Sequence, residues 1–163
     1  MRIIREPIIV AILALSPMAA SAAVNCDRFK VAISEGAAQY QVPAPKFRLE
    51  EVNSADANNQ FFSILMFDDA RAMFLCSHGE VETFAAEAKS AAPISVLHAM
   101  LLAGMGFHGY GLEWRQALIM RDRLVSLAKS SEAQMSGVRI EGGKASLGIS
   151  VAGVPSFQIE TDH

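Results

Sequence analysis

The segment "LAGMGFHGYGLEW" (Leu102 to Trp114) gathers the residues of this chain best suited to chemistry. Gly104-x-Gly106-x-x-Gly109 has the spacing of a phosphate-cradling dinucleotide loop, and His108 lies inside it, near Tyr110 and Glu113. Imidazole titrates near neutrality, so His108 is the candidate general base of a small hydrolase-type site. Thioether and imidazole together suit Cu(I), which makes His98, Met100, Met105 and His108 the candidate metal ligands.

Each reading meets an objection in the sequence. A dinucleotide loop follows a strand and opens a helix, with an acidic residue about 20 positions on. Here the glycines follow an apolar helical run. His108 has no nucleophile at the spacing of G-x-S-x-G, H-E-x-x-H or S-x-x-K. The methionines and histidines form no M-x-x-M or H-x-x-M pattern, and methionine on a helix commonly fills gaps in a core. The segment therefore reads as a joint between two helices. Gly104 and Gly106 weaken the end of the first, Gly109 and Gly111 allow a turn, and Phe107 and Tyr110 act as pegs into the core. No cofactor is expected.

Two acidic pairs have residue types that could do acid/base work or bind calcium. Glu50 and Glu51 are adjacent on a strand and so face opposite sides. Asp68-Asp69 sits between two apolar strands, where aspartate makes turns. Neither matches a calcium loop.

Location is more legible than chemistry. Arg2 and Arg5, the apolar run Ile8 to Leu15, Ser16-Pro17 and then Ala20-Ser21-Ala22 have the layout of a cleaved secretory signal over residues 1–23. The apolar run is shorter than the ~20 residues that span a bilayer. Asn25 before Cys26 fits a lipoprotein signal poorly. Residues 24–163 then form one domain of a periplasmic or extracellular protein, with no transmembrane segment after cleavage. The formal charge of the whole chain is −3, which gives no reason to expect nucleic acid as a partner. Two cysteines, Cys26 and Cys76, are most simply a disulfide in an oxidising compartment.

The elements that must hold these residues follow from periodicity. Asn25 to Tyr40 has helical spacing through Phe29, Ile33 and Ala37, and "QVPAPK" stops it. "KFRLEEV" alternates as a strand with Phe47 and Leu49 inward, and "NSADANNQ" is a polar loop. "FFSILMF" reads as a central strand covered on both faces, and "AMFLCS" as its return. Residues 80–88 are open to two readings. One is a strand after a His78-Gly79 hairpin; the other is a helix capped by Ser77 and Glu80. The strand is preferred because its neighbour needs a partner.

"PISVLHAMLLAGMGF" is a helix with Ile94, Leu97, Met100 and Leu101 along one side. "LEWRQALIMRDRLVSLAK" is a second, with Trp114, Leu118, Val125 and Ala128 on one face and Leu124 beside them. "VRIEGGKASLGISVAG" is a hairpin turning at Gly142-Gly143, and "SFQIET" a last strand with Phe157 and Ile159 inward. The fold class is α+β: an antiparallel sheet packed on one side by an N-terminal helix and a central helix pair, stapled by Cys26 and Cys76. The element order is similar to that of small secretion chaperones, a likeness of architecture that implies no function and is at odds with their lack of export signals.

With many fold signals and no convergent chemistry, the chain is expected to be an exported, non-catalytic binding protein of the cell envelope. Its partner is another envelope protein or a second copy. The alternatives are a periplasmic copper protein and an enzyme centred on His108. Apolar residues such as Phe61, Phe62, Met100, Met105 and Trp114 are more than one small core needs, and any left exposed together would mark the interface.

Overall fold

Asn25 starts the first helix. Its side-chain oxygen accepts from the backbone N–H groups of Asp27 (3.0 Å) and Arg28 (3.2 Å), which caps helix α1, Cys26–Gln39. The computed structural model describes residues 24–50, 58–130, 135–140, 142–150 and 152–162. The expected signal segment and most of the expected polar loop lie outside the described residues. The remaining elements are β1 (Lys46–Glu50), β2 (Asn59–Leu65), β3 (Ala70–Ser77), β4 (Glu80–Ala88), α2 (Pro93–Gly109), α3 (Trp114–Ser130), β5 (Met135–Ile140), β6 (Gly143–Ile149) and β7 (Pro155–Thr161).

The strands form one antiparallel sheet in the order β1-β2-β3-β4-β7-β6-β5. The first four make a meander. His78 (φ 51°) and Gly79 (φ 85°) form the two-residue turn between β3 and β4, both in the left-handed region that a type I′ hairpin requires. Residues 80–88 are therefore strand, and the helical alternative is set aside. The second hairpin differs by one position from expectation. Gly143 is already the first residue of β6, paired with Ile140 and Thr161, and a Cβ there would collide with the Glu160 carbonyl oxygen. Only glycine fits that approach.

The helices cover one face of the sheet. Phe29 of α1 is fully buried, its ring 5.2 Å from Phe74, 5.7 Å from Phe84 and 5.5 Å from Tyr110 between ring centres. Inward residues of the sheet include Ile64, Phe74, Phe84, Leu147, Phe157 and Ile159. Cys26 and Cys76 form the expected disulfide, pinning the first turn of α1 to the end of β3. Among the described residues nothing covers the other face of the sheet. This corrects the reading of "FFSILMF" as covered on both sides: in β2 only Ile64 is buried, while Leu65 is 42% exposed. On that open face Glu50 accepts from Ser63 and from Arg48 (2.7 Å), and these bonds hold its carboxyl below the usual range.

One polar side chain ties the helices to the sheet. Ser95, in the first turn of α2, is fully buried. Its hydroxyl donates to the Asp69 carbonyl (2.5 Å) and accepts from the N–H groups of Lys89 (3.1 Å) and Ser90 (3.2 Å). It thus joins the start of β3, the end of β4 and α2. Replacing Ser95 with alanine takes this partner from the Ser90 N–H, while the Lys89 N–H keeps its 2.9 Å bond to the Asp69 carbonyl, so the expected cost is about 1–2 kcal/mol in urea unfolding. A loss under about 0.5 kcal/mol would contradict this role.

Candidate functional site

Helix α2 runs unbroken through Gly104 and Gly106 to Gly109, so these glycines do not loosen its end as expected. They admit neighbouring side chains instead. A Cβ on Gly106 would overlap the Phe84 ring, and one on Gly109 would overlap the Phe29 ring. The joint itself is shorter. Tyr110 ends the helix, Gly111 (φ 88°) turns the chain, and α3 starts at Trp114. Gly104-x-Gly106-x-x-Gly109 is thus helix, seated on the aromatic core, and its backbone donors are spent on helical bonds. Phe107 is buried as a peg, and the Tyr110 ring packs on Phe29.

His108 lies beside this joint. Its Nδ1 is 2.8 Å from the carbonyl oxygen of Leu112, which can only accept, so Nδ1–H donates to it. The ring stacks on Trp114 with centres 4.2 Å apart. His108 lines a groove of about 570 Å³ with Val24, Asp27, Val31, Glu35 and Tyr110. Tyr110 is no acid–base partner: burial pushes its hydroxyl well above the ordinary range, and that oxygen has no hydrogen-bond partner among the described residues. Glu113 is exposed, with its N–H bonded to Gln116 (3.1 Å).

The four candidate metal ligands are spread along α2. His98 pairs through Nδ1 with Asp69 (2.6 Å) and stacks on Phe67 with ring centres 3.9 Å apart. The ten residues from His98 to His108 correspond to about 15 Å of helix. Met105 is fully buried against Gly36, and Met100 is partly buried. Among the described residues no group of three or more His, Cys, Asp or Glu could hold a metal.

A different feature of α2 is more pronounced. Ala91, Ala92 and Pro93 are exposed at its start, followed by Ile94 (54% exposed) and Leu97 (49% exposed). Contacts with α1 include Gly36–Met105 and Phe29–Gly109, and contacts with α3 include Leu118–Gly104 and Trp114–His108. All four contacts lie in the C-terminal half. The outer side of the first two turns is left to water, bordered by the Phe67–His98 stack and by Asp68, whose carbonyl accepts from the exposed Lys89 ammonium (2.9 Å). An apolar patch with a polar rim is the usual form of a protein-binding surface.

The side along which the sequence aligns Ile94, Leu97, Met100 and Leu101 is split by the structure: Met100 and Leu101 are partly buried against the core, while Ile94 and Leu97 are exposed. The buried side carries Ser95, Ala99, Leu102, Ala103 and Met105. Of the apolar residues singled out in the sequence as surplus, Met105 is buried and Phe61, Phe62, Met100 and Trp114 are partly so. The chain matches no protein-family model, no curated protein and no solved structure. Among the described residues no helix is long and apolar enough to cross a membrane.

Proposed function

We propose that this is an exported, disulfide-stapled binding protein of the cell envelope, acting without catalysis through the apolar start of α2. The exposure of Ile94 and Leu97 on a helix whose other half is buried carries the reading. With about half of each side chain in water, a partner that covered them would recover roughly 1 kcal/mol each. A disulfide inside the chain fits a protein that works outside the reducing cytoplasm.

The test is a double replacement, Ile94→Asp with Leu97→Asp. Both side chains are about half exposed, and acid in the first turn complements the helix dipole, so the variant should stay folded and lose no more than about 2 kcal/mol of unfolding free energy. The variant should lose the larger species that the parent forms in solubilised envelope fractions. The rival reading places function in the His108 groove. His108→Ala distinguishes the two: it should leave that species intact, and its loss without unfolding would favour the groove.

A further inference from the structure

We propose that β1 is a self-complementary sheet edge through which two copies of this chain pair antiparallel. β1 is the first strand of the sheet order, with β2 on one side and no strand on the other among the described residues. Its sequence, Lys46-Phe47-Arg48-Leu49-Glu50, read against a reversed copy centred on Arg48, sets Lys46 opposite Glu50 and Phe47 opposite Leu49. Two-fold symmetry makes each of these contacts twice.

Both faces agree with this register. Phe47 and Leu49 pair with Ile64 and Phe62 of β2 and so belong to the helix-covered face. Cover by α1 ends near Phe62, over whose ring the Lys30 ammonium sits at 4.0 Å from the centre. Leu49, one strand further out, is 54% exposed although it faces inward. Phe47 of a second copy would lie beside it and continue the apolar row across the junction. On the open face each Lys46 meets a Glu50 of the other copy. The two Arg48 side chains meet on the axis, but each is already held by its own Glu50. Edge strands are commonly protected from pairing by a lysine or a nearby proline. Here Lys46 has an acid at the mirrored position, so it attracts a second copy where a lone lysine would repel one. Five residues bury little area, so the association is weak and depends on concentration. It rests on the sheet edge and is independent of the α2 surface.

Sedimentation velocity over a concentration series tests it. The parent should shift from monomer towards dimer below roughly 1 mM. Lys46→Glu replaces two attractive cross-strand pairs with two repulsive ones and should weaken the dimer about tenfold. Register is read separately by oxidative cross-linking. Arg48→Cys should link to itself across the axis, and Lys46→Cys should link to Glu50→Cys when the two are mixed but to itself far less. Directly opposite residues in this register have Cβ atoms about 4.5–5.5 Å apart, within reach of a disulfide after a small backbone shift, whereas other pairings are farther. A parent that stays monomeric throughout, or a dimer indifferent to Lys46→Glu and lacking the Arg48→Cys link, overturns the proposal. The Ile94→Asp/Leu97→Asp variant should dimerise like the parent. Loss of its dimer would move the self-contact to α2 and overturn the β1 assignment.

Discussion

Replacing Cys26 and Cys76 together with alanine should lower the unfolding free energy by about 4 kcal/mol, the largest single effect expected in this protein. The bond spans 50 positions of sequence, and in the chain-entropy model a loop of that length is what the unfolded state gains when it is released. Its position adds a structural consequence. Cys26 opens α1, and the core side chains Phe29 and Ile33 follow within two turns, so the bond fastens the helix that closes one side of the core. Urea unfolding of the oxidised parent, the reduced parent and the double variant measures this directly. The reduced parent and the variant should nearly coincide, well below the oxidised protein. A difference under about 1 kcal/mol would mean that α1 is held by its packing alone.

Gly106→Ala should cost about 3 kcal/mol, although alanine is the better helix former. The new methyl would overlap the Phe84 ring, which is itself fixed between Phe29 and α2 and cannot withdraw cheaply. Gly104→Ala is the matched control. Its Cβ meets Leu118 at 3.8 Å and Tyr40 at 3.9 Å, ordinary contacts, so the change should be neutral or stabilise by up to about 1 kcal/mol. Thermal or urea unfolding of the two variants gives opposite signs if the glycines are packing residues. Adding Phe84→Leu to Gly106→Ala should recover part of the loss, as expected for two groups in one contact. Equal effects at both glycines would point to helix propensity and away from the Phe84 approach.

These residues show where sequence reasoning succeeds and where it stops. The α1 helix, the His78-Gly79 turn and the alternation of β7 depend on neighbours within a few positions, and local pattern is enough to locate them. The purpose of Gly106 depends on Phe84, which reaches it only through the sheet. Spacing alone suggests a nucleotide loop or a loosened helix end. Helix α2 defeats periodicity for another reason. Nearly every position from Pro93 to Met105 is apolar, so no stripe marks the buried side. Its one hydroxyl, Ser95, is buried and bonded to backbone, which inverts the usual inference from polarity. Ile94 and Leu97 are visible as apolar residues, but their exposure depends on tertiary packing, which spacing does not encode.

The role of α2 as a binding surface can be put to one direct measurement. A photo-crosslinking side chain replaces Leu97 in the protein as it is exported, with the same group at Arg123, an exposed position on α3, as the control. Illumination in the intact envelope should give a discrete adduct from position 97 and none from position 123. Adducts from neither position, or equally from both, would contradict a binding surface at the start of α2.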